Sequence, residues 1–174
     1  MADDGLKLSA RDADDLAVIA ACVQDALAPI GEIAFLPAER RFVLAINRFR
    51  WDQLDATKLA ARGVDRPLPR QRTDATFLEP GGKGPAYERV HSGLRFENVT
   101  SVRSRGIDLR DRERILELLT IQAEPGAVSL IFAGGATIRL GMTELCCYLE
   151  DFGDAWPTRW RPHHPDDTAG SPRQ

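Results

Sequence analysis

Cysteine is scarce in this chain, with three in 174 residues, and two of them, Cys146 and Cys147, are adjacent. Neighbours on a helix point about 100° apart and are badly placed to bridge, so no disulfide framework is expected, and reduced thiols in a cytosol fit best. Long apolar runs are missing as well. None approaches the roughly 20 residues of a membrane span, and the acidic start MADDGLKLSARDADD is unlike the basic, then apolar, opening of a secretory leader. The reading is a cytoplasmic protein with no membrane partner. Aromatic residues make up only 7%, too thinly spread for the stacking platforms of single-strand binders, which argues against nucleic acid. Also absent are HExxH, GxSxG, a Walker loop, GxGxxG, paired CxxC and an EF-hand loop, which removes the enzymes and metal sites that announce themselves by motif.

What is present is a globular composition, 43% hydrophobic and 28% charged, at the length of one ordinary domain. The net charge of −3 is unevenly spread: Arg40 to Arg114 holds 17 basic and 10 acidic residues, against 6 and 16 elsewhere. The middle is cationic, which bears on partners rather than on fold.

The stretch RDADDLAVIAACVQDALAPIG predicts a helix capped by Asp12, with Asp14 and Asp15 in its first turn and Pro29 and Gly31 ending it. Leu16, Ile19, Val23, Ala26 and Leu27 would form its apolar stripe. A strand at Ile33–Leu36, a turn at Pro37–Arg40 and a longer interior strand follow, with Phe42, Leu44 and Ile46 alternating against Val43, Ala45 and Asn47. Periodicity then fails. After a short helix at Gln53–Ala61, the segment with Pro67, Pro69, Pro80, Gly81, Gly82, Gly84 and Pro85 reads as a flexible insertion over 52–86.

Order is expected to resume at LRFENVTSVRSRGI, where the change of parity between Leu94–Phe96 and Val99–Val102 predicts a bulge or tight turn at Asn98. A helical turn then leads into a strand with Leu119, Ile121 and Ala123 on one side. Gly134-Gly135 predicts a two-residue hairpin turn, pairing Ile131 with Ile138, Ser129 with Leu140, Leu130 with Arg139 and Phe132 with Thr137. Leu145, Tyr148, Leu149 and Phe152 at i, i+3, i+4 and i+7 predict a C-terminal helix from Thr143 to Gly153, with Cys147 turned away from the core. The proline-rich stretch 156–174 reads as a partly disordered tail.

Most candidate sites have an ordinary explanation. The cysteines lack a second ligand pair or a nearby base, GGKG lacks the strand, helix and Ser/Thr of a phosphate loop, and His163 and His164 lie in the tail. Glu150, Asp151 and Asp154 read as solvated acids. No cofactor and no metal site is expected. The basic set has more pull: Arg103 and Arg105 project to one side of a strand, and with Arg48, Arg50 and Arg95 they would build a cationic surface for an acidic protein or a phosphate-bearing ligand.

The segments DLAVIAACVQDAL, IAFLPAERRFVLAINRFRW, LRFENVTSVRSRGID and LIFAGGATIRL through LEDFGDAW together resemble a bacterial domain-of-unknown-function family found mainly in alphaproteobacteria. The resemblance covers most of the chain, and 52–86 is longer than it leads one to expect. It implies a single cytoplasmic domain and carries no catalytic residue, cofactor or activity.

The expectation is therefore an α+β domain over 1–155: a bent, mostly antiparallel sheet or partial barrel, similar to pleckstrin-homology domains, with an N-terminal helix and a C-terminal capping helix. The expected function is a non-catalytic binding or adaptor module, compatible with a homo-oligomer. A small enzyme using Glu97, Asp108 and Arg105, or a weak nucleic-acid binder, are the alternatives.

Overall fold

The structure is a computed structural model that describes residues 5–51 and 87–158. The expected insertion with its short helix, and the tail beyond Thr158, lie outside the described residues.

The first elements are strand β1 (Lys7–Ala10), helix α1 (Ala13–Cys22) and strand β2 (Ala26–Pro29). Asp12 caps α1 as expected, its carboxylate accepting from the Asp15 N–H at 2.8 Å. Leu16, Ile19 and Val23 are buried along the expected stripe. The helix ends early, however, because Asp25 takes a left-handed conformation (φ 59°) and donates its N–H to the Leu118 carbonyl, which starts β2. Ala26 and Leu27 therefore belong to a strand.

Strand β3 (Ile33–Leu36) turns through a short 3-10 segment and left-handed Arg40 into β4 (Arg41–Phe49). Phe42, Leu44 and Ile46 are buried, and β4 is interior as expected. Beyond the undescribed segment come β5 (Tyr87–Phe96), β6 (Val99–Arg105), β7 (Ile115–Glu124), β8 (Ala127–Phe132), β9 (Thr137–Met142) and β10 (Cys147–Thr158). Left-handed Asn98 makes the expected tight turn between β5 and β6.

The ten strands among the described residues join one sheet with the order β1-β10-β5-β4-β2-β7-β8-β9-β6, β3 adding to β4, and every pairing among them is antiparallel. The ladder of β5 on β10 ends at Phe96 opposite Cys147 and resumes as β6 on β9 with Val99 opposite Met142. Two long segments thus pair almost continuously and bend together, which lets one sheet wrap a single core.

Three expectations are corrected. The α+β class with a C-terminal capping helix, and with it the pleckstrin-homology analogy, is overturned: α1 is the one α-helix among the described residues, and the segment expected to cap the sheet is β10. Cys147 and Leu149 face inward there, while Phe152, assigned to the core by helical spacing, is 49% exposed. Two flanking strands, β1 and β5, satisfy the backbone of β10, and this pairing overrides the helical pattern. Trp156–Thr158, expected to begin the tail, complete the same strand.

The hairpin register is the second correction. The loop is Ala133–Gly135, closed by the Phe132 N–H to the Ala136 carbonyl at 2.8 Å, with Gly134 and Gly135 at φ 75° and 78°. Leu130 therefore opposes Ile138, and Val128 opposes Leu140. A slip of one residue exchanges the faces, so all four of these side chains point into the core. In β7, the third, alternation with buried Leu116 and Leu118 turns Leu119 outward, and an irregularity between Leu118 and Thr120 brings Ile121 back to the core.

Candidate functional site

The alternation that buries Phe42, Leu44 and Ile46 also points Arg48 inward, because residues two apart share a face. Its side chain is 0% exposed. Charge at such a place needs a partner, and β10 supplies one, since Asp151 follows Cys147 and Leu149 on the inner face. Arg48 Nε lies 2.8 Å from Asp151 Oδ1 and Nη2 lies 2.6 Å from Oδ2, a two-pronged pair. The Ser92 hydroxyl donates to Oδ1 at 2.6 Å and the Leu6 N–H to Oδ2 at 3.1 Å. The Asp151 N–H in turn donates to the Leu6 carbonyl. Burial alone would raise the Asp151 pKa, but the hydrogen bonds from Arg48 and Ser92, the Arg48 charge and the Leu6 N–H outweigh it and hold the carboxyl below its ordinary value. Both oxygens are committed, so the group holds the sheet together and is not a base waiting for a proton.

Arg50, at the end of the same run, reaches Glu88 at 3.0 Å. Nearby, Arg89 lies over the Phe49 ring and donates to the Asn47 carbonyl at 3.0 Å. Desolvation lowers its pKa, against the raising influence of Asp25 and Glu117. Phe49 also meets Trp51 and Tyr87, while His91 contacts Phe152 and Trp156 with centroids 6.0 and 4.4 Å apart. Neither aromatic group was anticipated. The first forms where β5 pairs with β4 and the second where β5 pairs with β10, and no local spacing in the sequence marks either.

Arg95 stands on the opposite face of β5 from Leu94, its guanidinium 4.6 Å from the Tyr148 centroid and its Nε 3.1 Å from Glu97. Arg41 Nε donates to the same Glu97 oxygen, Oε1, at 2.9 Å.

Arg103 and Arg105 are elsewhere. They lie on β6, the last strand of the sheet path, both exposed and on one face with Ser101. Arg103 sits directly opposite Arg139, an arrangement that repels unless neutralised. Glu124 neutralises only Arg139, at 3.0 Å, while accepting from Ser129 at 2.6 Å; these two hydrogen bonds, Ser129 first, hold its carboxyl below the usual range. Among the described residues neither Arg103 nor Arg105 has a carboxylate partner. The five arginines grouped by the sequence are thus divided among a buried ion pair, a salt bridge at the end of β4, a stacked contact on β5 and an exposed edge.

The model of the family described as "Protein of unknown function (DUF2948)" matches residues 6–164. The chain belongs to this family. No curated protein and no solved structure matches it. The matched span of this DUF2948 protein includes both the Arg48–Asp151 pair and the β6 edge.

The residues weighed for catalysis are not gathered in this DUF2948 protein. Glu97 precedes β6 and is held by Arg41 and Arg95, whereas Arg105 ends that strand, roughly 20 Å away at the rise of an extended chain. Asp108 accepts from the Arg110 N–H in the following turn. A surface hollow of about 330 Å³ between α1 and β7 is walled by Ala17, Ala20, Ala21, Gln24, Leu119 and Ile121, none of which ionises. Among the described residues, no group of three or more His, Cys, Asp or Glu side chains is placed to hold a metal ion. No helix among them is long and apolar enough to cross a membrane. His163 and His164, like the GGKG stretch, lie outside the described residues.

Proposed function

We propose that this DUF2948 protein is a non-catalytic binding module whose cationic edge strand β6 meets an anionic protein partner. The observation that carries the reading is the pair Arg103 and Arg105: exposed, on one face, and without a carboxylate partner among the described residues. Folded proteins generally intersperse charges of both signs, and Glu124, which reaches this face at Arg139, is spent on that arginine. A patch of one sign supplies complementarity and steers encounter with an opposite one. Arg48 and Arg50 serve the fold in this reading, and Arg95 anchors Tyr148.

The test is affinity purification from the native cell with wild-type chain and the R103E/R105E variant as baits. The variant should lose a partner that the wild type retains without any fall in melting temperature, because both side chains are exposed, have no carboxylate partner among the described residues, and R103E sets a carboxylate opposite Arg139. Identical partner sets would sink the proposal.

A further inference from the structure

The binding reading leaves open how an anionic partner is held, and the backbone of β6 bears on that. It has seven residues and, among the described residues, β9 as its one neighbour in the sheet. In an antiparallel pair, alternate residues turn their N–H and C=O groups away from the partner strand. Among the described residues, the outward backbone bond found along this strand is at its start, from the Val99 N–H to the Arg40 carbonyl at 2.8 Å. Past the irregularity between Val99 and Ser101, the run from Ser101 to Arg105 is regular and contains no proline. Its far side is a row of donors and acceptors of the kind that templates another strand.

We infer that β6 accepts an extended acidic segment of a partner protein as an added strand, with acidic side chains opposite Arg103 and Arg105; this rests on the binding reading above. A second copy of the chain is a poor occupant. Pairing β6 with itself sets arginines of one copy against those of the other, which destabilises a sheet. The same charges that close the edge to itself favour a strand of opposite sign. Side-chain alternation defines the motif further. Ser101, Arg103 and Arg105 face outward, while Val102 is half-buried against the core. The incoming strand should alternate acidic residues on the outer face with small apolar ones beside Val102. Backbone hydrogen bonds supply affinity in such additions and the alternating side chains supply selectivity.

The probe is a fluorescein-labelled peptide of alternating Glu and Val, titrated with the full chain at low salt and followed by anisotropy. Two further peptides carry N-methyl groups, one on every Glu and the other on every Val. An added strand bonds to the edge through one parity of its N–H groups. One methylated peptide should therefore bind about tenfold or more weakly, while the other keeps the parent affinity. The R103E/R105E variant, checked for a melting temperature no lower than that of the wild type, should lose the parent peptide. If both methylated peptides bind like the parent, or both fail, strand addition is overturned while the charge-based reading stands. Absence of parent binding at low salt, or binding unaffected by R103E/R105E, overturns both.

Discussion

At the scale of single residues, the strongest commitment in the molecule is Arg48 to Asp151. Removing one member of a buried pair leaves the other charged and desolvated, a loss of about 3–5 kcal/mol. Arg48→Met and Asp151→Asn should each lower stability by that order in urea unfolding. The double variant should lose less than the sum, by about 0.5–3 kcal/mol of coupling, and strict additivity would mean that the pair contributes nothing as a pair. The pH dependence follows from the lowered carboxyl. Unfolded, Asp151 titrates at its ordinary value of 3.8; folded, it titrates lower. In the acid range the unfolded chain therefore binds the extra proton. The stabilisation is fully present above the unfolded value and is lost as pH falls through the folded one. The gap in urea midpoint between wild type and Asp151→Asn should narrow from about pH 6 to about pH 3. Only the parity was legible: Arg48 continues the alternation of Phe42, Leu44 and Ile46, yet it was read as part of a cationic surface. Its partner, 103 residues later, was not, because the same acid reads as solvated when its segment is taken for a helix.

At the scale of elements, the turn between β8 and β9 decides more than its length suggests. Gly134-Gly135 marked the hairpin correctly. A three-residue loop in place of a two-residue one then moved every pairing by one and exchanged core for surface. Gly134 has φ 75° and open space where a side chain would begin, so Gly134→Ala should be destabilising through backbone strain alone, by about 1 kcal/mol in thermal unfolding. Gly134→Asn should be milder, since asparagine tolerates the left-handed region. Equal losses would point to a different cause. Segment β10 carries the complementary lesson. Its Leu145, Tyr148, Leu149 and Phe152 satisfy a helical spacing, while Cys147, Leu149 and Asp151 satisfy a strand spacing. Local pattern leaves that choice open. The backbones of β1 and β5 on either side close it.

At the scale of the whole molecule, a wrapped sheet leaves two ends, and they differ. Strand β1 has four residues and packs beside α1, whereas β6 has seven and presents arginine. Global closure also governs the cysteines. Cys147 is 0% exposed between β1 and β5, and burial, then the neighbouring Cys146, pushes its thiol pKa up. Iodoacetamide should reach half-buried Cys22 first under native conditions and Cys147 only through opening of the sheet, its rate rising with urea in step with unfolding. Fast native labelling of Cys147 would contradict the inward-facing strand.

Sequence alone determined those features whose cause is local: the Asp12 cap, the β3–β4 hairpin, the Asn98 turn, the glycine pair and the exposed Arg103–Arg105 face all follow from a few neighbouring residues. Tertiary structure decided whatever depends on a distant strand: the end of α1, the register of β8 on β9, the strand state of β10, the burial of Arg48 and the edge position of β6. The physical reason is that strand backbone groups must be satisfied by another segment. Which segment that is depends on how the whole sheet closes.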